Sequence, residues 1–173
     1  MKKIGELKKL LGVCAEDSSL KERARSRCIY ENRKFSEGKS NWEKVTNDDI
    51  KDGTFVIPDG VTKIGVRAFH DCTSLKNIII PESVAEIGSM AFYGCCSLKN
   101  IILPEGVTEI GRYAFAFCTS LTNITIPKSV TEIGDYAFYR CRSLKKVFLP
   151  KKVKLGHGVF HGCHPDIEIV YRD

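Results

Sequence analysis

His157, His161, Cys163 and His164 lie close together near the end of the chain, and imidazole nitrogen with thiolate sulfur is zinc-ligand chemistry. A helix would set His157 and His161 on one face, but Gly158 and Gly162 argue against a regular helix, and no paired Cys-x-x-Cys accompanies Cys163. Solvated residues of a terminal segment are therefore expected there, with no metal site and no cofactor. The eight cysteines offer a second chemistry. Cys96 is the candidate nucleophile, because Cys95 falls in a regular column of the sequence and Cys96 does not, yet no histidine is positioned to activate it. No nucleophile elbow, phosphate loop or Ser/His/Asp order stands out, so no enzyme is expected.

The column that holds Cys95 comes from a repeat. Pro58, Pro81, Pro104, Pro127 and Pro150 begin five units spaced by 23 residues. The first four read PDGVTKIGVRAFHDCTSLKNIII, PESVAEIGSMAFYGCCSLKNIIL, PEGVTEIGRYAFAFCTSLTNITI and PKSVTEIGDYAFYRCRSLKKVFL. A fixed period of this size is the mark of a solenoid, in which each unit buries its apolar face only against its neighbours.

Cys72, Cys95, Cys118 and Cys141 share one column, and Cys163 joins them after a one-residue deletion in the last unit. Stacked turns lie about 4.8 Å apart with parallel side chains, whereas a disulfide needs Cβ atoms about 3.8 Å apart and facing each other. Neighbouring rungs should stay as thiols and pack as small hydrophobes, which together with Cys14, Cys28 and Cys96 points to a reducing compartment.

Apolar columns run through Val61, Ile64, Ala68, Phe69, Cys72, Leu75, Ile78 and Ile80. Leu75, Ile78 and Ile80 end in the alternation of a half-buried strand, and Pro81 stops it. Val61 to Gly65 forms a second short extended segment. Gly65, Gly88, Gly111 and Gly134 recur where a turn conformation closed to residues with a Cβ is expected. Ala68, Phe69 and Cys72 have the spacing of one helical turn.

The string Leu-x-x-Ile-x-Ile-Pro-x-x-Val-x-x-Ile-Gly-x-x-Ala-Phe-x-x-Cys resembles the BspA-like, or Treponema pallidum-type, class of leucine-rich repeats over about residues 53–163. The resemblance implies an α/β repeat: a right-handed leucine-rich-repeat solenoid with a parallel β-sheet on its concave face. It also implies a non-enzymatic surface, adhesion or interaction protein, usually exported. The last unit departs from the pattern at His164-Pro165-Asp166, as an atypical C-terminal cap would. The division expected is 1–52 as a small helical N-terminal cap and 53–173 as the solenoid.

Residues between the core positions of the strand should face outward. They form three columns: Lys76, Lys99, Thr122 and Lys145; Asn77, Asn100, Asn123 and Lys146; and Ile79, Ile102, Thr125 and Phe148. Apolar residues on a solvent face mark an interaction patch, so this face is the expected binding surface for a protein partner with an acidic and apolar surface, whether as inhibitor or adaptor. Glu86, Glu109 and Glu132, with Glu82 and Glu105, form an acidic side elsewhere. Met90, Tyr93, Tyr113, Phe117, Tyr136 and Tyr139 form a second-choice surface near the turns.

Before Gly53 the repeat disappears. Ile4, Leu7, Leu11 and Cys14 have helical spacing, and Ser19-x-x-Glu22 is a capping-box pattern opening a second helix through Leu20, Ala24 and Cys28. Arg23, Arg25 and Arg27 are a secondary partner-binding edge, and Trp42 and Val45 return to apolar contact. The net charge of +6 divides as +3 on residues 1–52 and +3 on 53–173, diffuse enough that nucleic acid is the lesser alternative to a protein partner. No apolar run approaches a bilayer span. Charged residues interrupt the segment after Lys2 and Lys3, so no export signal is read and a cytoplasmic location is expected, with secretion or the cell surface as the family's alternative.

Overall fold

The computed structural model describes residues 44–173. The N-terminal helices expected before Gly53, the arginines 23, 25 and 27, and Trp42 lie outside the described residues. Each repeat contributes two short strands. The first set is β1 (Thr54–Val56), β3 (Asn77–Ile79), β5 (Asn100–Ile101), β7 (Asn123–Thr125), β9 (Lys146–Pro150) and β11 (Glu168–Arg172). The second is β2 (Lys63–Ile64), β4 (Glu86–Ile87), β6 (Glu109–Ile110), β8 (Glu132–Ile133) and β10 (Lys154–Leu155).

All pairings between strands are parallel, and the chain forms a solenoid. The even strands make one five-stranded sheet, and the odd strands make two three-stranded sheets, β1-β3-β5 and β7-β9-β11. The ladder is loose on both sides of β5: Lys99 N–H reaches Lys76 O at 3.3 Å and Thr122 N–H reaches Lys99 O at 3.4 Å, whereas Lys145 N–H reaches Thr122 O at 2.9 Å. Lys154 pairs with Glu132 and Glu168 with Lys146, so the last unit is offset by 22 residues, as the deletion read in the sequence requires.

The repeat columns become rows of one core. Phe69, Phe92, Phe115, Phe138 and Phe160 stack with centroids 5.1, 5.1, 5.2 and 5.6 Å apart. The alanine, cysteine and leucine columns beside them are buried. Offset stacking and area burial act together in such a row.

Between the strands the expected helical turn is absent. The N–H groups of Ala68, His70 and Cys72 donate within the turn to Gly65 O, Arg67 O and Phe69 O, while those of Arg67, Phe69 and Asp71 donate to Ser89, Ala91 and Tyr93 of the next unit. Alternate donors thus serve the neighbouring unit and cannot close a helix. The backbone achieves this with left-handed residues at two columns: Arg67, Met90, Tyr113, Tyr136 and Gly158 (φ 54 to 59°), and Asp71, Gly94, Phe117, Arg140 and Gly162 (φ 56 to 73°). A side chain in that region costs about 1–2 kcal/mol, offset here by hydrogen bonds between units.

The recurrent glycines before these turns act differently from expectation. Gly88, Gly111, Gly134 and Gly156 do not have positive φ. A Cβ on Gly111 would lie 2.6 Å from Ser89 N, and one on Gly134 2.6 Å from Arg112 N. Close approach of one unit's backbone to the next, not turn conformation, excludes a side chain there.

The start of the solenoid is closed by nonrepeating residues. Val45 and Ile50 are buried, and Val45 N–H donates to Ala68 O at 2.6 Å. Asn47 Oδ1 accepts from Ser74 N–H and Oγ–H at 2.8 and 2.6 Å, within a 3-10 turn (Asn47–Asp49) whose Asp49 carboxylate accepts from Thr46 N–H at 2.9 Å. Val45 thereby stands where a preceding unit would be.

Candidate functional site

The odd strands carry the expected surface. Register aligns Thr54, Asn77 and Asn100, then Asn123, Lys146 and Glu168; it also aligns Val56 with Ile79, and Thr125 with Phe148 and Val170. Lys76, Lys99, Asn100, Thr122, Asn123, Thr125 and Lys145 are exposed, and Asn77, Ile102, Lys146 and Phe148 are half-buried. Ile79 departs from expectation: it is buried, at 8% exposure. Val56 beside it in register and Ile102 one unit on flank a branched side chain on a strand face, where same-face neighbours pack closely.

The strongest feature of this face is at its last rungs. The Phe148 ring has Arg172 4.6 Å and Lys146 5.5 Å from its centroid, and Lys146 Nζ pairs with Glu168 at 2.9 Å. Cations above a ring are attracted by its quadrupole, so they hold Phe148 in place at the surface. Asn123 Nδ2–H donates to Thr122 Oγ1 at 3.2 Å, and the aliphatic part of Lys76 lies over Gly53. Arg172, Glu168 and Val56 were not picked out from the sequence. Offsets of 22 or 23 residues from Pro150, Lys146 and Ile79 would have found them.

The acidic column lies on the other sheet, where Lys63, Glu86, Glu109, Glu132 and Lys154 are in register. Lys63 pairs with Glu86. Lysines thus flank the glutamates at both ends.

The turn columns form the second-choice surface. Tyr113 stacks on Tyr136 at 5.1 Å and Tyr139 on His161 at 5.7 Å, while His157 meets Tyr136 edge-on at 5.4 Å. Tyr113, Tyr136, Tyr139, His157, Gly158 and His161 line a shallow cleft of about 450 Å³. Tyr139 meets both Tyr113 and Tyr136 edge-on, and Arg112 and Arg140 sit over Tyr113 and Tyr139. Met90 Sδ accepts from Arg67 Nε–H at 3.5 Å, and Tyr93 stacks on His70 and tilts toward Phe117.

His157, His161, Cys163 and His164 do not converge. Cys163 Sγ donates inward to Phe138 O at 3.0 Å, and His164 Nδ1 accepts from Asp166 N–H at 3.1 Å. Among the described residues no three His, Cys, Asp or Glu side chains form a metal-sized group.

The cysteine column does more than fill space. The Sγ of Cys72, Cys95, Cys118 and Cys141 donates to Val45 O, Phe69 O, Phe92 O and Phe115 O at 3.2, 3.1, 3.2 and 3.1 Å. Each thiol thereby donates to a carbonyl of the preceding rung, which for Phe69, Phe92 and Phe115 also accepts from a backbone N–H of its own turn. Burial pushes the Cys72 thiol up to about 11 and raises Cys95 and Cys118 further; the adjacent Cys163 thiol, with burial, raises Cys141. A raised thiol is a poor nucleophile at neutral pH.

A solenoid with a displayed sheet face is a repeat scaffold. The BspA type leucine rich repeat region matches in six copies over residues 47–165, and the chain belongs to this leucine-rich-repeat family, whose members are generally interaction or adhesin-like proteins. It is similar to a leucine-rich repeat protein of Bacteroides ovatus, 40% identical with a TM-score of 0.59, over 67% of this chain and 30% of that one. A leucine rich cell surface protein of Faecalibacterium prausnitzii is 36% identical with a TM-score of 0.67, over 71% of this chain and 33% of that one. The T. pallidum leucine rich repeat protein is 29% identical with a TM-score of 0.55, over 66% and 78%. The chain spans about a third of the length of the first two. No curated protein matches it. Among the described residues no helix is long and apolar enough to cross a membrane.

Proposed function

We propose that the chain is a non-catalytic binding module that captures a protein partner on the face of its odd strands. Phe148, held between Lys146 and Arg172, carries this reading. It is a rigid aromatic anchor inside a basic patch continued by Lys145, Lys99 and Lys76, with Ile102 as the apolar neighbour. Aromatic and arginine side chains dominate binding energy at protein interfaces, and the lysines select an acidic partner surface. The cell-surface description of the F. prausnitzii protein supports an exposed location. The thiol column supports a reducing one.

The test is capture of partner from native source extract by the immobilised full chain. Ile102→Asp and Phe148→Asp together should reduce capture at least tenfold while the melting temperature stays within a few degrees. Undiminished capture by that variant would refute the site. Capture should also weaken with salt, as expected for exposed charges.

A further inference from the structure

Residues 45–50 cover the first unit, whereas on the last described rung Leu155, Ile169 and Tyr171 are 40, 36 and 53% exposed. These residues continue the columns of Ile133, Val147 and Leu149, all buried one unit earlier. Ile169 and Tyr171 lie on β11, which pairs with β9 on one side; among the described residues no strand pairs with its other edge. A five-residue unpaired edge next to exposed apolar side chains is a template for another strand.

The sequence of β11 states which strand fits. Glu168 N–H donates to Lys145 O, and Lys151 N–H donates to Arg172 O. By the alternation of a parallel ladder, Glu168, Val170 and Arg172 turn their backbone groups toward β9. Ile169 and Tyr171 therefore turn theirs to the open edge. A second β11 running antiparallel about a two-fold axis at Val170 sets Ile169 opposite Tyr171 of the second copy, in the hydrogen-bonded type of pair. All four of those N–H and C=O groups on each strand are then used. The same register sets Glu168 opposite Arg172 of the other copy, twice, in the closer non-hydrogen-bonded type of pair. Apolar meets apolar on the core side and opposite charges meet on the outer side. A register centred on Ile169 sets Glu168 opposite Val170, and one centred on Tyr171 sets Arg172 opposite Val170, so neither brings Glu168 and Arg172 together.

We propose that β11 is a homodimerisation edge, and that its occupant is β11 of a second copy of this chain. The interface is isologous, as a two-fold requires. Because the axis stands perpendicular to the sheet, the odd-strand faces of the two copies join on the same side. Two Phe148 patches then lie on one continuous surface, so a partner with repeated sites gains avidity without new contacts.

The test uses the full chain under reducing conditions, with mass measured by sedimentation equilibrium. Twice the chain mass of 19.4 kDa is expected. Glu168→Arg alone opposes two arginines, and Arg172→Glu alone opposes two glutamates, so each variant should be monomeric. The equimolar mixture of the two should form a heterodimer, and the double variant should again dimerise. Melting curves of each variant establish that it is folded, and Tyr171→Lys provides a second monomeric variant that leaves both charges in place. A monomeric wild-type chain, or dimers that survive in both single variants, would overturn the proposal.

Discussion

Replacing Gly111 with alanine should destabilise the solenoid by about 3 kcal/mol, the scale of forced overpacking, and lower the melting temperature by about 10 °C. A Cβ there would meet Ser89 N at 2.6 Å and Gly88 C at 2.7 Å. Both are backbone atoms of the preceding unit, so no rotamer change relieves the clash. Relief requires the units to separate at β4 and β6, which weakens the ladder on both sides. Gly60→Ala is the informative control: its φ of 89° strains a side chain, but nothing lies within 4 Å of the added Cβ. It should cost only about 1 kcal/mol. Equal losses for the two variants in urea titrations would show that close approach is not what holds the glycine column.

That contrast marks how far the sequence could be read. The period reported which residues share an environment, because every unit meets the same neighbours; hence the phenylalanine, alanine, cysteine and leucine columns were legible without a structure. It did not report the cause. Gly111 and a left-handed glycine look alike in sequence, and Tyr113 and Tyr136 occupy left-handed positions with no glycine to betray them. The helical spacing of Ala68, Phe69 and Cys72 is equally compatible with a row of turns, since the choice depends on where Arg67, Phe69 and Asp71 send their N–H groups, and the acceptors lie a full unit away. At the candidate site, the outward columns followed from strand alternation. The burial of Ile79 did not, because it depends on the lateral neighbours Val56 and Ile102. Arg172 was hidden by the deletion that shifts its column by one residue, and Val45 resembles no repeat residue although it takes a repeat's place. Where identity between units ends, the pattern ceases to inform.

The cysteine column makes stability fall in alkali. Its thiols are buried and donate to carbonyls, and burial pushes the Cys72 thiol up to about 11 and raises Cys95 and Cys118 as well; the contact that raises Cys141 lowers Cys163, so those two work against each other. The folded chain therefore keeps these protons at a pH where the unfolded chain, with thiols near about 8.5, releases them. With the unfolded state binding fewer protons, unfolding becomes more favourable as pH rises. The contribution is intact below the unfolded value and is lost upward from it, through about 11 for Cys72. Each thiol costs about 1.4 kcal/mol per pH unit in that window, so Cys72, Cys95 and Cys118 together remove about 4 kcal/mol by about pH 9.5. Urea unfolding with a reductant present, at neutral pH and in that alkaline range, should show this loss. Cys118→Ala should be weaker at neutral pH by about 2 kcal/mol, from the lost sulfur packing and hydrogen bond, yet its alkaline decline should be shallower by one proton's slope. A decline of identical slope in the variant would mean that the column does not carry the effect. Serine at the same position separates the two roles of sulfur: its hydroxyl can still donate to Phe92 O but does not ionise in this range, so Cys118→Ser should share the shallower slope.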